Sequence, residues 1–266
     1  MYDRFNRRIS YLRVSVTDRC NLRCTYCMPE EGVKLLDHSE ILSFEEITEV
    51  VREGVLAGIT KVRITGGEPL VRKGIISLVE MIARIPGITD FGLTTNGILL
   101  SDFANGLAKA GLHRINISLD TVDPEKFRTI TRGGDINKVF QGIEAALTAG
   151  LTPVKINCVV RSSSDEPDAQ AVREYCKNKG LEARFIHEMS LADGCFTIVE
   201  NGHGGDCPNC NRLRLTANGM IRPCLFNDLQ YSTRELGIRE AIEKAIGHKP
   251  ERGSVNLNGG FHNIGG

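Results

Sequence analysis

The sequence predicts an α/β fold: a partial (β/α)6 barrel, TIM-like but unclosed, with a short C-terminal extension. Short β-rich runs alternate with helical stretches six times along the chain, and this alternation is typical of a parallel sheet. Gaps of roughly twenty to forty residues separate successive strands, which suits right-handed crossover helices. Six strands are too few for the closed eight-stranded barrel, so we expect a curled, open sheet.

The individual elements follow from the local composition. Strands are expected near residues 11–16, 61–65, 90–95, 114–119, 153–159 and 183–187. Helices are expected near residues 44–57, 73–84, 101–110, 138–149 and 167–179. We assign residues 1–189 to the barrel and residues 190–266 to the C-terminal region.

Four distinctive motifs lie at or shortly after the carboxyl ends of predicted strands. They occupy residues 20–27, 66–69, 94–97 and 118–120, in chain order after the first four strands. In folds of this kind the chemistry collects in the loops at the carboxyl ends of the strands. The motifs therefore predict one shared site at the mouth of the barrel.

Composition and charge are those of an ordinary globular protein. Of 266 residues, 41% are hydrophobic and 25% are charged, and the formal net charge is zero. Without a basic excess, neither nucleic acid nor a membrane is an expected partner. The first ten residues hold no apolar signal-peptide core, and no later segment approaches the length of a membrane span. We expect a cytoplasmic protein in a reducing compartment, where disulfides are rare.

The first of two cysteine clusters consists of Cys20, Cys24 and Cys27, spaced C-x3-C-x2-C. Three thiolates can bind three irons of a cubane cluster and leave the fourth iron open to a small molecule. Structural zinc sites usually take four protein ligands, so a zinc site here would be one ligand short. The spacing favours an open iron–sulfur cluster, and zinc or plain thiols are the alternatives.

The second cluster consists of Cys207, Cys210 and Cys224, again with three cysteines. His203 lies close enough in sequence to make a Cys3His zinc site the alternative. Between these cysteines, alternation places Arg212 and Arg214 on one face of an extended segment. Two guanidinium groups beside an open cluster suit a polyphosphate, because their forked donors match phosphate oxygens.

The motifs together resemble those of a known family. The stretches YLRVSVTDRCNLRCTYCMPEEG, RITGGEPLVRKG, TTNG, INISLD, CPNCNRLRLTANGMIRPCLF and the terminal NIGG are similar to those of the GTP 3′,8-cyclases of molybdenum-cofactor biosynthesis. These are radical S-adenosylmethionine (SAM) enzymes with two 4Fe–4S clusters. The resemblance covers residues 4–189 and residues 207–266. It implies conversion of GTP to (8S)-3′,8-cyclo-7,8-dihydroguanosine 5′-triphosphate, a lyase reaction.

The resemblance also implies roles for individual residues. SAM contacts carry over to Tyr26, Gly67, Ser118 and Met189. GTP contacts carry over to Arg13, Arg63, Thr94, Lys155, Arg184, Arg212 and Arg214. Roles in cyclisation carry over to Arg212, Arg214 and the terminal Gly265 and Gly266.

The strand cations among these residues have physical support of their own. Arg13, Arg63, Lys155 and Arg184 lie in apolar, strand-like surroundings, where a cation needs an anionic partner. A triphosphate is one such partner, and for any one of these residues an internal salt bridge or a snorkelling side-chain end is the alternative. As protein partners, the resemblance implies a reducing protein such as flavodoxin or ferredoxin, and the next enzyme of the pathway.

One departure from the family pattern lies between Met189 and Cys207. Only seventeen residues join them, and roughly fifty residues of the family pattern are missing, a whole supersecondary unit. The alternative function is therefore a related two-cluster radical SAM enzyme acting on another nucleotide or a peptide. Of the remaining cysteines, we expect Cys158 and Cys176 to be buried thiols, whereas Cys195 is either a spare ligand or without a role.

Overall fold

The structure, a computed structural model, describes residues 1–257 and 264. Nine strands of this part form one sheet in the order β6-β5-β4-β3-β2-β1-β7-β8-β9. The first six are β1 Tyr11–Ser15, β2 Lys61–Thr65, β3 Asp90–Thr95, β4 Arg114–Ser118, β5 Lys155–Val160 and β6 Glu182–His187. They are parallel and pair in chain order, which confirms the predicted open β/α sheet.

Helices connect these strands as expected. The predicted ones are α1 Phe44–Leu56, α2 Ile75–Ala83, α3 Leu100–Lys109, α5 Ile136–Thr148 and α6 Pro167–Lys179. Between α3 and α5 the structure adds α4 Pro124–Thr131, which the sequence analysis left out. Asp123 caps it by accepting from two backbone N–H groups, and Pro124 occupies its first turn.

The C-terminal region continues the same sheet. Its strands are β7 Arg212–Leu215, β8 Met220–Arg222 and β9 Tyr231–Ser232, followed by helices α7 Thr233–Leu236 and α8 Ile238–Gly247. Strand β7 lies parallel to β1, with Arg13 opposite Arg214, and β8 and β9 continue antiparallel. The predicted extended segment around Arg212 is therefore a strand of the main sheet.

Alternation along the strands separates the core from the interior face of the sheet. On β1, Leu12 and Val14 belong to the hydrophobic core, whereas Tyr11 and Arg13 line a cavity. Strand β2 behaves in the same way, with its arginine and lysine on the cavity side. This period of two places each predicted strand cation at the first or third position of its strand, on the face opposite the core.

None of the helices in residues 1–257 is both long and apolar enough to cross a membrane.

Candidate active site inside the sheet

The first cysteine loop leaves the carboxyl end of β1 and folds against helix α4. The backbone N–H groups of Cys27 and Met28 both donate to the carbonyl oxygen of Cys24, at 3.0 Å each. The N–H of Arg23 donates to the carbonyl oxygen of Thr131 at 3.2 Å, which ties the loop to the last residue of α4. Backbone hydrogen bonds therefore set the relative positions of the cysteines.

The thiols of Cys20, Cys24 and Cys27 are half-buried and line one cavity. Burial raises the pKa of Cys24 to about 12 and the pKa of Cys27 to about 11, and neighbouring thiols act in the same direction. Burial also raises the pKa of Cys20. Crowded thiolates need a compensating positive charge, which the irons of a cluster supply, so this donor set fits an iron–sulfur cluster.

The Gly66–Gly67 turn packs directly against the segment before the first cysteine loop. A Cβ atom on Gly66 would lie 2.6 Å from the carbonyl oxygen of Thr17, and one on Gly67 would lie 2.4 Å from that of Arg19. The N–H of Gly67 donates to the carbonyl oxygen of Thr17 at 2.8 Å. The glycines therefore permit a close approach between two protein segments, in addition to any approach to a ligand.

Glu68 is almost fully buried and joins the second motif to the third. Its carboxylate accepts hydrogen bonds from Thr95 Oγ1 at 2.8 Å, the N–H of Asn96 at 2.7 Å and the N–H of Leu70 at 3.0 Å. Burial raises the pKa of Glu68 to about 7, although these three donors act in the opposite direction. A cation such as an ammonium group beside it would favour its charged form.

These motifs surround what we call the carboxyl-end cavity, since it lies where the parallel strands end. Its volume is about 200 Å³, and all four residues expected to contact SAM line it: Tyr26, Gly67, Ser118 and Met189. Tyr26 donates from its hydroxyl to Asp120 Oδ2 at 2.7 Å. Thr94 Oγ1 is buried without a hydrogen-bond partner among the described residues, which leaves a polar group for a ligand.

The second cysteine set lines a different cavity, deeper along the interior face of the sheet. Cys207, Cys210 and Cys224 all contribute to its wall. A turn joins the first two, with the N–H of Cys210 donating to the carbonyl oxygen of Cys207 at 3.1 Å. Arg7 Nη1 donates to the same oxygen at 2.8 Å, which anchors the turn to the N-terminal segment.

The pKa values of Cys210 and Cys224 shift in opposite directions. Burial acts to raise the pKa of Cys210, but Lys249 and Arg212 outweigh it and lower the pKa below its ordinary value. Burial raises the pKa of Cys224, against the opposing charges of Lys249 and Arg214. This set therefore has nearby cations that suit bound thiolates, as a cluster requires.

We call the deeper cavity the arginine cavity. It is lined by the three cysteines just described and by five of the predicted substrate residues: Arg13, Arg63, Arg184, Arg212 and Arg214. Their side chains come from strands β1, β2, β6 and β7, so the sheet itself brings them together. A volume of about 200 Å³ lies between them. So many cations around one space call for a multiply charged anion.

Several guanidinium nitrogens in this cavity support that conclusion. Arg63 Nη1, Arg184 Nε and Arg212 Nε are buried without a hydrogen-bond partner among residues 1–257 and 264. Buried donors are nearly always satisfied in native proteins, by protein, water or ligand. Because an unsatisfied charged donor is costly, these atoms mark positions for the oxygens of an anion.

Tyr11 lines the arginine cavity beside four cations, and the sequence analysis missed it. Its ring lies 5.0 Å from Lys61 Nζ and 5.6 Å from the Arg212 guanidinium carbon, and its hydroxyl accepts from Arg63 Nε at 2.9 Å. Burial acts to raise the pKa of Tyr11, but the charges of Arg63, Arg13, Arg212 and Lys61 together lower it to about 7. The sequence did offer a signal: Tyr11 lies two residues before Arg13 on the same strand, so both side chains are on the same face of the sheet.

The two cavities are neighbours. Asn157, Ile186 and Met189 line both of them, so the two cavities share part of their walls. The motifs after the strands meet at the carboxyl ends, as predicted, whereas the arginines lie below them on the interior face. A ligand in the deeper cavity would thus lie next to one in the carboxyl-end cavity.

Some predicted residues lie elsewhere. Lys155 does not line either cavity and instead pairs with Glu182, the internal salt bridge weighed above. Cys158 and Cys176 are buried as expected. Cys195 is exposed, and its backbone forms an isolated antiparallel β-bridge with that of Ser190. Gly265 and Gly266 lie outside the described residues.

The short connection between Met189 and Cys207 forms part of the wall of the arginine cavity. Phe196 and His203 both line the cavity, and the Phe196 ring stacks on Phe226 with centroids 4.4 Å apart. Among residues 1–257 and 264, no three Cys, His, Asp or Glu side chains converge closely enough to hold a single metal ion. A cubane carries each thiolate on a different iron, so a cluster does not require three thiols to converge on one point.

Comparison with solved structures supports the same fold. Native anSMEcpe with bound AdoMet aligns with 91% of this chain and 81% of its own length, at a TM-score of 0.65 and 18% identity. Streptococcus suis SuiB bound to precursor peptide SuiA aligns with 88% of this chain and 64% of its own length, at a TM-score of 0.66 and 16% identity. At these identities the likeness shows the fold alone.

Comparison with protein families and curated relatives goes further. The model of the radical SAM superfamily matches residues 14–176. The GTP 3',8-cyclase of Thermodesulfovibrio yellowstonii is 44% identical, covering 94% of this chain and 95% of the relative. That of Alkaliphilus oremlandii is 39% identical, covering 100% of both.

Both alignments are longer than the chain itself. They extend over 305 and 320 positions, against 266 residues here, so each relative has residues that this chain lacks. The identities, the coverage and the family model agree with the site geometry. The chain belongs to the radical SAM superfamily and, within it, to the GTP 3′,8-cyclase family.

Proposed function

We propose that this chain is a GTP 3′,8-cyclase that forms (8S)-3′,8-cyclo-7,8-dihydroguanosine 5′-triphosphate in the biosynthesis of the molybdenum cofactor. The observation that carries the proposal is the pair of neighbouring cavities. One is surrounded by the first cysteine set and the glycine motif, and the other by five arginines and the second cysteine set. The names of the relatives at 39–44% identity support this activity over modification of another nucleotide or a peptide.

Cys20, Cys24 and Cys27 would hold the 4Fe–4S cluster that radical SAM enzymes use, and the second set would hold another. When bound, the first cluster and SAM supply a radical that abstracts a hydrogen atom from the substrate. Around them, Tyr26, Gly67, Ser118 and Met189 would bind SAM in the carboxyl-end cavity, with Thr94 reaching the substrate from the same side.

The arginine cavity would bind the triphosphate of GTP. Arg63, Arg184 and Arg212 present buried donors for phosphate oxygens, and Arg13 and Arg214 add positive charge from the paired strands. Arg212 and Arg214 would also stabilise charge on the nucleotide during cyclisation. The role of Lys155 rests on the resemblance alone, since it pairs with Glu182 outside the cavity.

The roles of the second cysteine set and the chain terminus are also proposals. Cys207, Cys210 and Cys224 leave one iron of a cubane open, and this iron would anchor the guanine base. Gly265 and Gly266 would contribute to cyclisation. A reducing protein such as flavodoxin or ferredoxin would supply electrons, and the next enzyme of the pathway would receive the product.

The test is an anaerobic reaction of the iron-reconstituted protein with SAM, dithionite and GTP. Liquid chromatography with mass spectrometry would follow 5′-deoxyadenosine and any isomer of GTP. We expect a GTP isomer to form in step with 5′-deoxyadenosine, and Cys24→Ala to abolish both. Formation of 5′-deoxyadenosine while GTP stays unchanged would refute the cyclase and direct the search to other nucleotides or peptides.

A further inference from the structure

Lys249 is a buried lysine directly behind the second cysteine set. It follows helix α8, is only 1% exposed and lines the arginine cavity. Its Nζ donates to the carbonyl oxygen of Arg212 at 2.8 Å and to that of Pro223 at 2.5 Å. One carbonyl lies two residues after Cys210 and the other immediately before Cys224, so a single ammonium group connects two cysteine-bearing segments.

The charge of Lys249 also faces the cysteines. Lys249 lies close enough to Cys210 for its positive charge to lower the pKa of that thiol. Two of its three donors are therefore directed at the segments that carry Cys210 and Cys224, and its charge acts on the Cys210 sulfur. A buried ammonium is costly unless it is hydrogen-bonded and compensated by negative charge, and thiolates of a bound cluster supply that charge.

We propose that Lys249 is a positioning residue for the second cluster: it fixes the two cysteine-bearing segments and holds a positive charge against the cluster sulfurs. This inference rests on the proposed function, because it requires a cluster on Cys207, Cys210 and Cys224. Net charge and hydrogen bonds to sulfur set the reduction potential of such clusters. Since reduction adds a negative charge, the lysine favours the reduced state and raises the potential.

A purely structural role is the competing explanation, and the reduction potential distinguishes the two. The experiment uses the full-length chain with Cys20, Cys24 and Cys27 replaced by alanine, so that only the second site can hold iron. In this background, Lys249→Met removes the charge and the donors, Lys249→Gln removes the charge but keeps two amide donors on a shorter side chain, and Lys249→Arg retains both charge and donors. Lys244→Met is the matched control, because Lys244 is a partly exposed lysine on α8 that pairs with Glu240 and does not line the arginine cavity.

After anaerobic reconstitution, iron content and a redox titration followed by electron paramagnetic resonance would be measured for each variant. We expect Lys249→Met and Lys249→Gln to shift the midpoint potential downward. Lys249→Arg should stay closer to the parent, and Lys244→Met should match it. Equal potentials in the parent and in Lys249→Gln, with the cluster present in both, would overturn the inference while leaving the proposed function intact.

Failure to assemble a cluster is informative as well. A parent background that binds no iron would overturn the two-cluster proposal, and the inference with it. If the neutral variants lose the cluster while Lys249→Arg retains it, the need for a charge at this position is supported. Loss of the cluster in Lys249→Arg together with the neutral variants would show that side-chain shape alone matters, and would overturn the inference.

Discussion

At the residue scale, the arginine cavity concentrates positive charge on one face of the sheet. Arg13 lies opposite Arg63 on one side and opposite Arg214 on the other, so three guanidinium groups stand in one row. Like charges at this spacing repel one another, and burial strengthens the repulsion. The phenol of Tyr11, whose pKa these cations lower, lies beside them and supplies negative charge when it ionises. A bound triphosphate would add further negative charge.

We expect Tyr11 to titrate near neutral pH. Burial acts against ionisation, but the surrounding cations lower the pKa of its phenol from 10.0 to about 7. Because the folded state releases this proton more readily than the unfolded state, the contribution to stability grows from pH 7 toward pH 10 and is lost as pH falls through 7. The ultraviolet absorption of phenolate, compared between the wild type and Tyr11→Phe, measures the titration.

Inorganic triphosphate provides a control for that experiment. An added polyanion would compete for the same cations and raise the pKa of Tyr11. If Tyr11→Phe leaves the titration curve near neutral pH unchanged, the cationic environment inferred for this phenol is wrong.

Arg63 should contribute strongly to substrate binding. It is 2% exposed, and Nη1 has no hydrogen-bond partner among the described residues. A phosphate oxygen would supply the hydrogen bond that this nitrogen lacks. A hydrogen bond to a charged group is worth about 1.5–3 kcal/mol, so Arg63→Met should raise the KM for GTP by roughly ten- to a hundredfold. Steady-state kinetics of GTP consumption would measure this.

The controls for Arg63 separate binding from folding. Formation of 5′-deoxyadenosine without GTP should stay near the wild-type rate in Arg63→Met, because the residue lines the other cavity. Lys179→Met removes an exposed cation that pairs with Glu144, and should leave the KM unchanged. Equal loss of both activities in Arg63→Met would point to a folding role instead.

At the element scale, the loops after the strands depend on one another. The turn after β2 packs on the segment after β1 through its glycines, and Glu68 binds the loop after β3. The first cysteine loop is tied to α4 and thus to the unit after β4. The cysteines are therefore positioned by several β/α units, and a change in one loop reaches the others.

Gly67→Ala tests this dependence. A Cβ atom there would meet the carbonyl oxygen of Arg19 at 2.4 Å, so the backbone just before Cys20 would have to move. We expect at least a tenfold loss of SAM cleavage, because displacing a bound group by about 1 Å can cost about a hundredfold in rate. The 5′-deoxyadenosine assay measures it.

Gly247→Ala is the matched control for that substitution. Gly247 ends α8, and a Cβ atom there would have nothing within 4 Å. The variant should keep wild-type SAM cleavage and gain a few tenths of a kcal/mol up to about 1 kcal/mol in stability, from the higher helix propensity of alanine. Full activity in Gly67→Ala would show that the turn yields without moving the cysteine loop.

At the scale of the whole molecule, the two ends of the chain meet around the second cysteine set. Strand β7 pairs with β1, and Arg7 contacts two segments that lie far away along the chain. Arg7 pairs with Asp3 at 2.7 Å and donates to the carbonyl oxygens of Cys207, Pro250 and Glu251. The C-terminal region is therefore held to the barrel by both a strand pairing and a buried cation.

Replacing Arg7 should weaken the whole molecule. Both side chains of the Arg7–Asp3 pair are nearly inaccessible, so Arg7→Met would leave a buried carboxylate without its partner. Breaking such a pair costs about 3–5 kcal/mol, and we expect a loss of that order in the free energy of unfolding. Denaturant unfolding would measure it, with the exposed Arg4→Met changing stability by less than about 0.5 kcal/mol. A loss below about 1 kcal/mol would show that the anchor contributes little.

Much of the fold was predictable because its signals are local. Six β-rich runs and five helical stretches could be placed from composition, and strand alternation placed Arg212 and Arg214 on one face. Helix α4 was missed because its sequence, PEKFRTIT, contains few apolar residues, although Asp123 followed by Pro124 is a helix-start signal. Helix α8 and the strand pairings of the C-terminal region were not predicted.

The sequence by itself determined the chemistry: two sets of three cysteines, the glycine motif and the strand cations, because residue types and their spacing are properties of the chain. Only the tertiary structure decided which cations face one cavity. Lys155 looked equivalent to Arg63 and Arg184 in sequence but pairs with Glu182 instead. Tyr11 and Lys249 gained their roles through residues far away along the chain. Contacts of that kind depend on how strands pair and helices pack, which local patterns do not encode.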